Sequence, residues 1–422
     1  MNTELKNKIL YTIFLLFLYR IGTFIFLPGI NGEVINDFFN SDTGSVFNLL
    51  NMFSGGAFSR MSIFALNIMP YITASIIIQL LASVYKGLEE LKKEGEYGRR
   101  KMNQYTKYLT LFLAIFQSIG IYYAFLNLEK SAFINNSSMF LWTTVFTLVA
   151  GTMILMWVGD KITQNGIGNG ISLLIFVGIV AELPSSFVQI FELARKGQFS
   201  VIFLLFVLCV FTALIFFIIF MEKATRNIKI QYPNRGLMKS NGFKEDNSHI
   251  PLKVNMSGSI PPIFSSSILT FPFIISKLFK GDMTDKVSSF LTKGNLLYMI
   301  LFSILIIFFS YFYSTIVFNT EDVSENLKKS NCFIPGIRPG TATKEYLDSV
   351  VYRITFIGAI YLCIVCLLPE ILTTKYSLPL SIGGTGLLIL IDVVIDLVTQ
   401  IQSYMFSNKY NNMNKQRKIR VR

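Results

Sequence analysis

The sequence predicts an all-α polytopic membrane protein, with ten transmembrane helices in two pseudo-symmetric inverted halves of five. Three observations lead there. Hydrophobic residues make up 52% of the 422-residue chain and charged residues only 15%, against roughly 25% charged in ordinary soluble domains. The apolar residues gather into ten blocks, near 8–28, 62–84, 105–127, 139–159, 170–190, 200–220, 252–276, 296–318, 350–370 and 379–402. Each is close to the roughly 20 residues that a helix needs to cross a bilayer. With the N-terminus inside, inner connections carry roughly three times as many Lys and Arg as outer ones, which is the expected bias of cytoplasmic segments. An even number of spans puts both termini on that side, and an odd number per half gives the halves opposite topology.

The first block follows Met1–Lys8 without a small-residue cleavage site, so the first span is expected to serve as its own insertion signal. Arg20 lies within it and is expected to snorkel or to pair internally. Residues 51–82 read NMFSGGAFSRMSIFALNIMPYITASIIIQLLA. Asn51–Arg60 is too short and polar to cross, whereas Ile63–Val84 is long enough. A half-length segment joined to a full span predicts backbone that dips into the protein and stops. Irregular backbone at membrane depth survives only inside protein or beside a water-filled cavity, so the stretch predicts an interior pathway. The seventh block, second in its half, carries Pro261-Pro262 and Ser265-Ser266-Ser267. Interrupted spans at matching places in two halves point to the central site of an inverted-repeat membrane protein.

The net charge of +13 is concentrated at 85–104, 221–253, 319–349 and a tail ending KQRKIRVR. Such patches satisfy the positive-inside rule and touch anionic lipid. Loops of about 30 residues exceed ordinary connections, and their charge also suits a large negatively charged partner, including one that contains RNA. The last span holds Asp392 and Asp396 one turn apart, each costing about 3 kcal/mol at a helix centre. They are expected to face an aqueous funnel or to pair with a basic group; a proton relay is the alternative.

No catalytic residue, metal site or cofactor is expected. The four cysteines show no disulfide or zinc framework, and Cys363 and Cys366, though spaced CxxC, lie in an apolar block and read as packing residues. His249 is the sole histidine. The P-loop pattern and the GxSxG nucleophile motif do not occur.

The stretch from Asn51 continues through KKEGEYGRRKMNQYTKY, LAIFQSIGI, GTMILMWVGDKIT and NGIGNGISLLIF. Later come HIPLKVNMSGSIPPIFSSSI, FFSYFYSTIVFN, FIPGIRPGTAT and GGTGLLILIDVVIDLVTQIQ. In order, and over residues 4 to 410, these resemble the SecY family, central subunits of the protein-translocation channel. The resemblance implies a clamshell of N-terminal half 1–195, C-terminal half 196–402 with loops 221–253 and 319–349, and a basic cytoplasmic tail 403–422. It implies an apolar waist of Ile68, Ile72, Ile171, Ile175, Ile260 and Ile389. The i, i+4 spacing of Ile68/Ile72 and Ile171/Ile175 suits one helix face each. A ring of such side chains makes a dewetting constriction.

By the same resemblance, Asn51, Met52, Phe53, Ser54, Gly55, Gly56, Ala57, Phe58, Ser59 and Arg60 form a plug. Its small residues carry little apolar area, so its docking is expected to be weak and reversible. Thr73, Gln117 and Asn255 would line a lateral gate between the second and seventh spans, with the third alongside. Arg338, in the FIPGIRPG turn, would dock SecA and the ribosome, with Arg226, Lys229 and Arg235 on the other loop. The usual adjacent Arg pair is missing there, so motor contact through Arg338 is expected ahead of ribosome contact through that loop.

The implied function is passage of unfolded polypeptide across the membrane and sideways release of apolar segments into lipid, with signal sequences and nascent chains as substrates. SecE-like and SecG-like membrane subunits, the SecA ATPase, the ribosome and anionic lipid are the implied partners. The expected location is a bacterial inner membrane, or an organelle membrane if the gene is organelle-encoded. An inverted-repeat transporter of small solutes is the alternative; it needs polar groups at the midplane, where this chain offers isoleucines. An intramembrane enzyme finds no chemistry to use.

Overall fold

The first apolar block folds as α1, Thr3–Gly22, in a computed structural model that describes residues 3–29, 51, 54–128, 138–197, 201–231, 248–278, 295–376 and 383–420. The second block does not fold as the expected helix over Ile63–Val84. Met61 and Asn67 both take left-handed backbone, with φ of 44° and 49°, which a continuing right-handed helix cannot accommodate. The chain turns until Ile68, and α2 runs only Met69–Val84. Pro70 stands in its first turn, where a missing N–H costs no hydrogen bond. Sixteen residues make a helix about 24 Å long, short of a hydrocarbon core of ~30 Å. At Tyr85 the chain bends by 100° into α3, Lys86–Lys93.

The following helices are α4 (Glu96–Leu128), α5 (Ser138–Asn165), α6 (Gly170–Arg195) and α7 (Val201–Lys223). A two-stranded antiparallel ribbon comes next, β1 (Thr225–Ile230) against β2 (Ser248–Lys253), in register from Thr225↔Lys253 to Ile230↔Ser248. Then follow α8 (Ile260–Leu278), α9 (Leu296–Val317), α10 (Thr320–Lys329), α11 (Thr341–Tyr376) and α12 (Gly384–Arg420).

Two boundaries correct the sequence reading. The seventh block, placed at 252–276, becomes helical only at Ile260, because its first residues belong to β2. Pro261-Pro262 therefore does not interrupt a span but begins one, at the positions a helix tolerates proline best. Conversely, α4 and α11 begin well before their apolar blocks, and α5 and α12 run well past theirs, because helix-forming residues such as Glu, Lys, Arg and Gln adjoin them.

Among the described residues, five helices are long and apolar enough to cross a membrane, or six if the bent α2–α3 pair is one span. The chain is thus an all-α polytopic membrane protein, with one small β-ribbon among the described residues. Helix α8 lies against α9, α4 and α2; α12 lies against α11, α6 and α7; α1 lies against α5 and α6. The central apolar core forms where α1, α2, α5, α6, α8, α9 and α12 meet. A second core joins α7, α8, α9, α11 and α12. A third, of Ile228, Leu252, Ile334, Leu347, Val350 and Ile354, fastens the ribbon to the start of α11.

Candidate functional site

Four chain segments deliver isoleucines to the central core. Ile68 is the residue before α2 and Ile72 lies one turn on, its N–H donating to the Ile68 carbonyl at 3.0 Å. The pair therefore keeps helical spacing although Ile68 lies outside the helix. Ile171 and Ile175 come from the start of α6, Ile260 is the first residue of α8, and Ile389 lies in α12. All six belong to one apolar cluster. Ile68, Ile175 and Ile389 are buried within it, and Ile72, Ile171 and Ile260 are half-buried against it. The cluster also takes in Leu15, Tyr19 and Phe64. The arrangement therefore joins helices separated by up to some three hundred residues through side chains with no directional bonds.

The turn segment 54–60 lies beside α1 and α6. Ser54, Ala57 and Phe58 have no exposed surface. Asn51 organises the segment: its carbonyl accepts from the Gly56 N–H at 3.1 Å and from Ser54 Oγ at 3.0 Å, and its Oδ1 accepts from the Ser59 N–H at 2.9 Å. Three contacts fix it to the helices. Arg20 Nη1 donates to the Gly55 carbonyl at 2.9 Å, Asn51 Nδ2 donates to Glu182 Oε1 at 3.2 Å, and the Arg60 guanidinium lies 4.4 Å over the Phe24 ring. Gly55, at φ 64°, meets Gly178 of α6 so closely that a Cβ there would fall 2.7 Å from the Gly178 Cα.

The expectation that this segment carries little apolar area is corrected by Phe58. Phe58 is wholly buried, which alone is worth about 2–3 kcal/mol, and directed polar contacts add to it. Arg20 pairs internally, as one of the two expectations for it held. Met52 and Phe53 lie outside the described residues.

Thr73, Gln117 and Asn255 do not hydrogen-bond one another in this arrangement. Thr73 Oγ1 donates back to the Met69 carbonyl of its own helix at 3.0 Å, and Gln117 is half-buried on α4. Asn255 is buried, and its Nδ2 donates to Glu222 Oε1 at 2.6 Å and to the Gly258 carbonyl at 3.2 Å. The helices that carry Thr73 and Gln117 do meet α8 directly.

Arg226 and Lys229 are exposed on β1, opposite Leu252 and His249 respectively. Arg338 is exposed in a turn closed by Ile337 N–H to the Ile334 carbonyl, 3.0 Å, and by Thr343 Oγ1 to its own carbonyl, 2.8 Å. The end of β1 is joined to the stretch before Arg338: Gln231 and Phe333 exchange backbone hydrogen bonds of 2.9 and 3.1 Å. Arg235 lies outside the described residues.

Among the described residues, Asp392 pairs with no basic group. Its Oδ2 accepts from Ser259 Oγ at 2.7 Å, while Asp396 is exposed. Sequence reasoning missed Glu182, although an acid within an apolar block marks a functional position by the rule that singled out the two aspartates. It also missed Glu222, and Gly178, for which the sequence holds no signal.

Comparison with known proteins adds a consistent picture. The family model described as SecY matches residues 62–398. The protein translocase subunit SecY of Rickettsia typhi is 46% identical, over 99% of this chain and 98% of its own. That of Escherichia coli K12 is also 46% identical, over 97% and 94%. A solved structure of a protein conducting channel superposes with a TM-score of 0.70 at 16% identity, over 96% of this chain and 93% of that one. Sec61 in a canine ribosome-channel complex from the endoplasmic reticulum superposes at 0.63 and 15%, over the same shares.

Proposed function

The chain belongs to the SecY family, which makes it a non-catalytic, pore-forming subunit of a protein-conducting channel, and from that premise we propose how its residues divide the work. Ile68, Ile72, Ile171, Ile175, Ile260 and Ile389 form the waist of the pathway. The observation that carries this reading is their convergence, from four segments, into one apolar cluster. β-Branched side chains close against one another, exclude water and ions, and yield around a passing chain without recognising its sequence.

Asn51–Arg60 is the plug, seated against the waist by Arg20 and Glu182. Helices α2 and α8 form the two lips of the lateral gate, with α4 beside them. Thr73, Gln117 and Asn255 set the polarity of that seam, at roughly 0.6 to 2 kcal/mol for each bond made across it. An apolar signal sequence or nascent span that parts the lips gains by leaving for lipid. Ten spans divide into inverted halves, 1–195 and 196–402, with both termini and the tail 403–422 in the cytoplasm of a bacterial cell and the spans in its inner membrane.

Arg338, Arg226 and Lys229 present fixed positive charge to a cytoplasmic driver, with Arg235 completing the set. Planar guanidinium groups suit carboxylate and phosphate alike, which fits both the SecA ATPase and the ribosome. SecE-like and SecG-like subunits clamp the two halves from the membrane side, and anionic lipid meets the basic loops. The reading is tested on reconstituted channel carrying Ile68→Asn together with Ile171→Asn. A polar waist wets, so resting ion conductance should rise about tenfold or more, since each buried large apolar side chain is worth about 1.5–3 kcal/mol. Unchanged conductance would remove the waist assignment.

A further inference from the structure

Asp392 sits on α12 three residues past Ile389, and Ser259 directly precedes Ile260, the first residue of α8. Ser259 Oγ donates to Asp392 Oδ2 at 2.7 Å, and the Ser259 N–H points at the same oxygen from 3.4 Å. A carboxylate at the start of a helix is favoured by the helix dipole, here supplied from a different helix. Gly258 shapes the turn into α8: it holds φ 59°, a conformation that favours glycine, beside Asp392 Oδ2. On the other side of the same linker, Asn255 is held by Glu222 of α7 and its Oδ1 accepts from Ser257 Oγ at 3.1 Å. The first turn of α8 is thus moored to two neighbours, and the mooring to α12 joins the segments that carry Ile260 and Ile389.

Resting on the waist reading, we propose that Asp392 is a positioning residue of the channel: through Ser259 it holds Ile260 against Ile389 and so sets how readily the constriction opens. A carboxylate within an apolar span is costly, and this bond to the gate-forming helix gives it a use that an apolar residue cannot supply. Breaking the bond frees the start of α8 without emptying the core, since neither Ser259 nor Asp392 belongs to the apolar cluster.

The test uses channel purified from native membranes with its bound subunits and reconstituted, measuring resting ion conductance and export of a precursor with a weakened apolar signal segment. Ser259→Ala and Asp392→Val should each raise both by about threefold to tenfold, the range for a hydrogen bond between membrane helices or to a charged group. The double variant should not exceed Asp392→Val, because that change already removes what Ser259→Ala removes. Asp392→Asn, which keeps the accepting oxygen, should stay near wild type. A gain in export of the weak substrate separates this outcome from misfolding, which lowers export. Additive single effects, an Asp392→Asn variant as leaky as Asp392→Val, or unchanged behaviour of the single variants would each overturn the proposal. If Ile68→Asn with Ile171→Asn still leaks in those cases, only the positioning role has failed. If that control is silent too, the waist reading fails with it.

Discussion

The guanidinium of Arg20, inside the first apolar helix, donates to the backbone carbonyl of Gly55 at 2.9 Å. A charge that a lone span would hold at high cost is thereby directed at one carbonyl of the segment proposed as the plug, which a side-chain change at position 55 cannot remove. Arg20→Gln shortens the donor and removes its charge. Hydrogen bonds to charged groups contribute about 1.5–3 kcal/mol when buried, and this half-buried one should contribute less. Spontaneous openings in single-channel records should become about threefold to tenfold more frequent while export of a normal precursor is retained. Openings at the wild-type frequency would show that Arg20 does not hold the plug.

Helices α2 and α8 meet directly, so closing that seam covalently should stop sideways release. One cysteine on each, bridged by a bifunctional thiol reagent, should block export and membrane insertion almost completely, with recovery after cleavage of the bridge. Cys209 is exposed and unpaired, so the background is set in a variant with Cys209→Ser. Full export through a bridged channel would count against a lateral gate here.

Arg338 is exposed on a turn whose backbone is pinned at both ends, and its side chain is not needed for that pinning. Arg338→Glu should lower ATP-driven export about tenfold or more, as like charges at a docking surface cost several kcal/mol, while the amount of channel in the membrane stays unchanged. Wild-type export would refute docking through this residue.

Much of the architecture was legible because lipid imposes a simple rule on composition: apolar blocks became helices, and the isoleucines at i, i+4 spacing became part of the core. The boundaries were less so. Ile63–Val84 reads as a span, yet Asn67 and Met61 turn the backbone before Pro70 starts the helix, and hydropathy is blind to φ. The strand at Thr225–Ile230 alternates only briefly, with Ile228 and Ile230 inward. Contacts made across the chain were hidden altogether. Ser259 and Asp392 lie 133 positions apart, and nothing near either residue names the other. Asn255, read as a seam residue, is bonded to Glu222, a partner that only the fold could supply.

The backbone bridge at the end of the turn segment 54–60 has a mechanical meaning. Leu27 and Ile63 donate their backbone N–H groups to the carbonyls of Met61 and Ile25, at 3.0 Å each, around the Phe26↔Ser62 bridge. The far end of residues 54–60 is thereby sewn to the chain that leaves α1. On the plug reading, such a piece would turn as a hatch on a fixed pin rather than travel as a loose cork. Its reach from Met61 is bounded by seven residues of chain, roughly 25 Å when fully drawn out, and each closure would return it along the same arc. A channel that opens and shuts for every exported protein would thus recover its seal without a search.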